Sequence, residues 1–262
     1  MADSHGDFIW YELMTTDADA AQDFYGELLG WTFADSGTSD MDYRLGSMDG
    51  AEIVGLMALT EEMCEGGAQP MWTSYVCVSA MAPAIDELKR LGGTVLMEPN
   101  ELEGVGTFAY VTDPQGAMFY LMQPADPDEQ SQSFAKHEPR EGHCAWNELV
   151  TEDPAGAKTF YCELFGWEKS GEMDMGGEMG LYEMYSVNGY SLGAIMGKPE
   201  MMPMSMWVQY LRVPDIDAAA EFVGANGGQV LNGPMEIPGG DFVLQGMDPQ
   251  GAFFALIGTK ES

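Results

Sequence analysis

Residues 10–31 read WYELMTTDADAAQDFYGELLGW, and residues 146–167 read WNELVTEDPAGAKTFYCELFGW. A shift of 136 positions carries Trp10 to Trp146, Glu12 to Glu148, Asp17 to Asp153, Phe24-Tyr25 to Phe160-Tyr161 and Gly30-Trp31 to Gly166-Trp167. Self-similarity at a fixed offset marks a repeated structural unit. In the first copy, Phe8 to Thr15 alternates: Ile9, Tyr11 and Leu13 on one face, Trp10, Glu12 and Met14 on the other. That is the period of a strand. Asp17 is placed to cap a helix over Ala18 to Leu29. Its Ala21, Phe24, Tyr25 and Leu28 fall at i, i+3, i+4 and i+7 and form one apolar stripe. Gly30 stops the helix as a C′ glycine.

Working outward, Trp31 and Phe33 begin a second strand, followed by an acidic loop, Asp35 to Asp42. Tyr43 to Ser47 and Glu52 to Met57 form a hairpin around Met48-Asp49-Gly50. Thr60 to Pro70 reads as a mobile connector. The unit then restarts: strand Trp72 to Val78, with Thr73, Tyr75 and Cys77 on one face, helix Pro83 to Leu91, then strands Thr94 to Met97, Thr107 to Val111 and Ala117 to Met122. The turn Asp113-Pro114-Gln115-Gly116 joins the last two. After a polar, Pro-containing stretch the plan repeats. Strand Cys144 to Val150, helix Ala155 to Phe165, a Gly/Met-rich loop Gly171 to Gly180, and strands Leu181 to Val187 and Ser191 to Met196 come first. Strand Trp207 to Val213 and helix Ile216 to Ala225 follow. Asp248-Pro249-Gln250-Gly251-Ala252 matches Asp113 to Ala117 at a shift of 135. The chain therefore reads as an α+β protein of four βαβββ modules. The expected domains are 1–124 and 142–262, with a linker at 125–141.

Of 262 residues, 43 are acidic and 10 basic, a net charge of -33. Nucleic acid is excluded as an expected partner, because phosphate binding needs a Lys/Arg footprint. Anionic membrane surfaces are disfavoured for the same reason. The acidic residues are spread along the chain, which reads as a strongly solvated surface suited to a salty habitat, or as an attractor of cationic ligands. No apolar run approaches the ~18–20 residues of a membrane span. The start MADSHGDF lacks a basic n-region and an apolar h-region, so a cytoplasmic location is expected. Cys64, Cys77, Cys144 and Cys162 form neither a CxxC pair nor a zinc spacing.

A strand ending in Asp, then AxxFYxxLxGW, then a DPxGAxFxL hairpin resembles the vicinal oxygen chelate superfamily, the glyoxalase/bleomycin-resistance/extradiol-dioxygenase fold. Both halves carry all three features, and the likeness covers nearly the whole chain. The resemblance implies two glyoxalase-like domains with cup-shaped mixed sheets related by a pseudo-twofold axis, the inner walls holding substrate and, in many members, a divalent metal. Its metal ligands usually stand at three places. The first is a His seven residues before the helix-opening Asp; here that position is Trp10 and Trp146. The second falls near Thr73 and Val208, and the third, a Glu four residues after the hairpin glycine, falls on Tyr120 and Ala255. Imidazole and carboxylate donors are missing from all six positions, and Trp cannot ligate. No metal or other cofactor is therefore expected, although a divalent ion on a non-standard set such as Glu12 with Tyr120 stays open.

By the same resemblance, Trp10, Glu12, Met14, Thr73, Tyr75, Met118 and Tyr120 line one cup. Trp146, Glu148, Val150, Val208, Tyr210, Phe253 and Ala255 line the other. Such aromatic and apolar walls suit a small flat or aliphatic ligand. Glu12 and Glu148 are the candidate catalytic residues. Each reads as a general base, as an anchor for a cationic group, or as a structural carboxylate at the seam. Trp31 and Trp167 are expected in packing, while Trp72 and Trp207 either rim the cups or pack. His5 and His137 are expected in solvent, and His143 as structural or exposed. Tyr43 and Tyr182 are placed to close over a ligand. No Ser-His-Asp, Cys-His, P-loop or GxGxxG pattern stands in a meaningful context. The expected function is binding, with or without transformation, of a small apolar or aromatic molecule by a monomer or homodimer. One alternative is a metal-dependent lyase, isomerase or dioxygenase. The other is a sequestering, resistance-type protein for a cationic molecule.

Overall fold

The computed structural model describes residues 2–37, 41–177, 180–200 and 202–260. Four βαβββ modules follow one another: β1 (Phe8–Thr15), α1 (Ala18–Leu29), β2 (Thr32–Asp35), β3 (Tyr43–Met48) and β4 (Ala51–Ala58) make the first. After a short helix α2 (Glu61–Glu65) come β5 (Met71–Cys77), α3 (Met81–Arg90), β6 (Thr94–Leu102), β7 (Gly106–Thr112) and β8 (Met118–Pro124). The second half holds β9 (Cys144–Thr151), α4 (Pro154–Phe165), β10 (Glu168–Gly176), β11 (Gly180–Val187) and β12 (Tyr190–Gly197). Its last module is β13 (Met206–Asp215), α5 (Ile216–Ala225), β14 (Gln229–Glu236), β15 (Phe242–Met247) and β16 (Phe253–Thr259). Two eight-stranded mixed sheets result, in the orders β2-β3-β4-β1-β5-β8-β7-β6 and β10-β11-β12-β9-β13-β16-β15-β14. The first and last strand of each module pair in parallel, as β1 with β4 and β5 with β8 do, and the remaining strands run antiparallel. This is the α+β architecture expected from the repeat.

The local signals act as read. Asp17 accepts from Ala20 N–H and Asp153 from Gly156 N–H, both at 3.0 Å, each a cap worth about 1 kcal/mol. Gly30 and Gly166 close their helices at φ 75° and 70°, a left-handed conformation that costs glycine nothing. The β3–β4 and β11–β12 turns use Asp49-Gly50 and Asn188-Gly189, all at positive φ, as a two-residue hairpin turn requires.

The sheets follow the two halves of the chain, but the compact units do not. Unit one comprises the residues up to Ile9, Ser74–Ser131 and Asn147–Val208. Unit two comprises Trp10–Thr73, Gln132–Trp146 and the residues from Gln209 onward. In unit two, Phe24 packs 5.6 Å from Phe222 and 6.1 Å from Phe254. Tyr25 Oη donates to Asp248 Oδ2 at 3.0 Å and accepts from Trp72 Nε1 at 3.0 Å. Unit one contains the same relay from the other modules: Tyr161 Oη donates to Asp113 Oδ2 at 3.1 Å and accepts from Trp207 Nε1 at 2.9 Å. Each Asp also holds its own turn: Asp113 Oδ1 accepts from Gln115 and Ala117 N–H, and Asp248 Oδ1 from Gln250 and Ala252 N–H. The FY and DPQGA motifs are thus two ends of one buried contact. Trp72 and Trp207 are buried in it and rim nothing. Trp31 and Trp167 are core residues whose indoles donate to Gly142 O and Gly6 O.

Three expectations need correction. Thr60 to Pro70 carries helix α2, capped by the Thr60 hydroxyl on Met63 N–H. Gly171 to Gly176 belongs to strand β10, paired with β11, because alternating contacts to Tyr182 and Met184 outweigh the weak strand propensity of Gly. Residues 178–179 of that stretch, and 38–40 of the acidic loop, lie outside the described residues. Within the 125–141 segment Ser133 and Phe134 are buried, and Phe134 bridges to Cys144. Ile9 packs with Cys77 and Met122, against Tyr75 and Phe108. His5 is held in structure, its Nδ1 accepting from Ser79 N–H and its Nε2 facing Leu164 O at 2.9 Å. Among the described residues no helix is long and apolar enough to cross a membrane.

Candidate functional site

In unit two, β1 turns Trp10, Glu12 and Met14 to one face, beside β4, where Glu12 and Met14 pair in register with Gly55 and Met57. Trp10 Nε1 donates to Tyr43 Oη at 3.1 Å. A Cβ on Gly55 would collide with that tyrosine hydroxyl, so glycine is what lets Tyr43 lie across β4 toward Trp10. Glu12 is only 2% exposed, and Thr73 is 1% exposed with no protein partner for its Oγ1. The other wall within this unit is polar: Gln245 Nε2 donates to Tyr210 Oη at 2.9 Å, and Arg212 grips Asp241 with two nitrogens at 2.8 and 3.1 Å. Phe253 and Trp146 are half-buried, and Ala255 is fully buried. Cys144 is no nucleophile: burial pushes its thiol up to about 12.

In unit one, Glu148 is 6% exposed and its Oε2 accepts from Tyr182 Oη at 2.9 Å. Tyr182 is the counterpart of Tyr43. Ala194, paired with Glu148, stands where the first half has Gly55. Val150 and Val208 are buried. The second wall is an aromatic ladder. Tyr75 and Tyr120 stack at 4.2 Å and 11°, Tyr110 lies 4.5 Å from Tyr120, and Phe108 meets Tyr120 edge-on at 6.1 Å. Tyr110 Oη donates to Met118 Sδ at 3.3 Å.

The structure thus joins Tyr75, Tyr120 and Met118 into one wall and gives Glu148 a phenol partner. Tyr110, Gln245, Arg212 and Asp241 were absent from the sequence-derived set. Their signal was available: Tyr110 and Gln245 share one place at the 135-residue offset, and alternation on β7 and β15 puts them beside residues already chosen.

The six positions where the resemblance places metal ligands do not fit a divalent ion. Trp10 and Trp146 offer indole N–H donors without a lone pair, and Trp10 already uses its donor on Tyr43. Thr73 brings a neutral hydroxyl, Val208 and Ala255 bring nothing, and the Tyr120 ring is committed to the ladder. Among the described residues no three His, Cys, Asp or Glu side chains gather as a ligand set.

Comparison with known proteins identifies the family to which this fold belongs. The profile of the Glyoxalase/Bleomycin resistance protein/Dioxygenase superfamily matches residues 8–121 and 141–256. CFP32 of Mycobacterium tuberculosis (strain CDC 1551 / Oshkosh), provisionally named a glyoxylase, is 30% identical over 251 residues, which are 95% of this chain and 93% of that protein. The anthracycline biosynthesis protein DauV of Streptomyces sp. (strain C5) is 25% identical over 266 residues, covering 97% and 93%. The Mn(II)-bound glyoxalase from Novosphingobium aromaticivorans shares the fold at a TM-score of 0.65 and 15% identity, over 99% of this chain and 84% of that one.

Proposed function

The chain belongs to the Glyoxalase/Bleomycin resistance protein/Dioxygenase superfamily, and we propose that within it the protein binds a small, flat aromatic molecule carrying a cationic group, without the divalent ion of its metal-dependent relatives. One observation carries this reading: the metal-donor positions hold Trp, Thr, Val, Tyr and Ala, while stacked tyrosine rings and the near-buried Glu148 carboxylate belong to one compact unit. Flat rings are recognised by stacking on Tyr and Trp faces. Glu148, with Tyr182 fixing one oxygen, presents negative charge among apolar side chains, where attraction for a cation is little screened. The net charge of -33 raises the local concentration of cations around the whole molecule. The relationship to DauV supports the same ligand shape, because anthracyclines are flat fused-ring molecules.

Glu148 is the residue expected to anchor the ligand, and Glu12 its counterpart in the first half. The test is metal analysis of the purified protein followed by titration with daunorubicin, a fluorescent cationic anthracycline, monitored by fluorescence and by thermal shift. Substoichiometric metal, with a rise in Tm that Glu148→Gln weakens, supports the proposal. Stoichiometric Mn, Fe, Ni or Zn retained through purification overturns it.

A further inference from the structure

Each Tyr–Asp relay joins groups that can exchange an electron to groups that can exchange a proton. In unit two the Tyr25 ring lies 5.3 Å from Trp72 and 6.1 Å from Trp31. In unit one the Tyr161 ring lies 5.2 Å from Trp207, edge-on, and 5.2 Å from Trp167, stacked at 8°. Every phenol thus packs on two indoles, one of which donates to its oxygen. The phenols are 0% exposed and the four indoles 3–5%, so the indoles are the outer members of each set. The contacts of the two aspartates fix their charge. Asp113 Oδ1 accepts from two turn amides and Oδ2 from the Tyr161 hydroxyl, and Asp248 is held in the same way by its turn and by Tyr25. An aspartate whose two oxygens only accept is an ionised carboxylate. At 3.0–3.1 Å from the phenol oxygen it stands within proton-transfer reach.

We propose that the two relays are sinks for one-electron oxidation, in which Tyr25 and Tyr161 pass an electron to an oxidised indole and, in the same step, their proton to Asp248 and Asp113. The co-reactant is an outer-sphere one-electron oxidant strong enough to oxidise an indole. It takes one electron from the indole and is reduced. The phenol refills the indole, its O–H bond breaks, and a new O–H bond forms on the aspartate Oδ2. The products are a neutral phenoxyl radical, a neutral carboxylic acid and the restored indole. The step starts from an indole radical cation and a carboxylate and ends with neutral groups only, which a buried site favours. The hydrogen bond between Tyr and Asp survives with its direction reversed, and Trp72 or Trp207 still donates to the radical oxygen. Burial then keeps the radical from solvent and from other chains. This activity is independent of the proposed ligand binding, because none of Tyr25, Trp31, Trp72, Asp248, Tyr161, Trp167, Trp207 and Asp113 belongs to the ligand walls.

The test is flash photolysis of the full chain with tris(bipyridine)ruthenium and persulfate, read by transient absorption and by freeze-quench electron paramagnetic resonance. The wild type is expected to show indole radicals that decay into a long-lived tyrosyl radical. Its yield is expected not to change with buffer concentration, because the base is internal. The double variant Asp113→Asn with Asp248→Asn keeps an acceptor for each turn and a polar group beside each phenol, yet cannot take the proton. It is expected to lower the long-lived signal at least tenfold, as removing a positioned base does. Tyr25→Phe and Tyr161→Phe are each expected to remove roughly half of it, as independent sites do. Folding is checked by circular dichroism and Tm, and the single Asn variants, each expected to act as its Phe counterpart does, decide if the double variant fails to fold. A long-lived tyrosyl signal that persists undiminished in the Asn variants, that grows with buffer concentration, or that is missing from the wild type overturns the proposal.

Discussion

Tyr25 donates its hydroxyl to the buried carboxylate of Asp248, 223 residues away in sequence, at 3.0 Å, and Tyr161 does the same to Asp113. Burial holds both tyrosines far above the ordinary phenol range and raises both aspartates, with the turn amides opposing that rise. Each phenol also accepts from an indole, so its loss strands two buried polar partners. Tyr25→Phe and Tyr161→Phe are each expected to cost about 1–3 kcal/mol in urea unfolding, the range for orphaning buried hydrogen-bonding groups. Near-neutral results for both would show the relays to be spectators of packing.

His143 is buried, with Nδ1–H donating to Glu141 O at 2.8 Å and Nε2 without a partner. Burial, with the nearby Arg140 charge, lowers its pKa against smaller upward pulls from the Glu141 carbonyl and Asp49. A lowered folded-state value means that its contribution to stability is present above the unfolded-state value, about 6.5, and is lost as pH falls through the folded-state value. Tm measured from pH 7.5 down to 5 is expected to fall less steeply in His143→Asn, which keeps a donor for Glu141 and cannot titrate. Parallel slopes in the two proteins would contradict this.

Among the described residues, Arg44, Arg90, Lys158, Lys169, Lys198, Arg212 and Lys260 pair with carboxylates, and the ten basic side chains of the chain are far too few to neutralise its 43 acidic ones. Salt weakens the few pairs but screens far more repulsions, since the Debye length falls to ~3 Å at 1 M. Tm is therefore expected to rise steadily between 0.05 and 2 M KCl. A flat or falling curve would mean that surface repulsion is already compensated.

Gly55→Ala places a methyl against the Tyr43 hydroxyl and close to Trp10 Nε1. Displacing Tyr43 is expected to cost about 1–3 kcal/mol, as overpacking does. Ala194→Gly, the reciprocal change in the second half, is expected to cost no more than about 1 kcal/mol. Equal losses would show that the glycine serves the backbone and not the tyrosine.

The fold was legible from the repeat because caps, stops and stripes are local: Asp17, Gly30 and Phe24-Tyr25 act within one turn or one helix face of where they stand. Strand β10 was not, because Gly171 to Gly176 is held by its partner strand and carries little signal of its own. His5 and Phe134 escaped for the same reason; a tail or a linker looks polar until its long-range acceptors are known. At the site, the faces of β1, β5 and β8 could be read from alternation. The tyrosine ladder and the Tyr182–Glu148 bond required knowing which strands are neighbours.

Each compact unit draws on both halves of the chain, with α1 sharing a unit with Asp248 and α4 with Asp113. The halves are thus interleaved partners rather than beads on a string. A nick in the 125–141 segment would produce two fragments, each carrying one member of every Tyr–Asp relay and neither able to bury its aromatic helix face alone. Such fragments should behave as a split protein, insoluble apart and complementing when co-expressed. On this view the linker's contribution is effective concentration: it turns what would be a bimolecular assembly into a folding step.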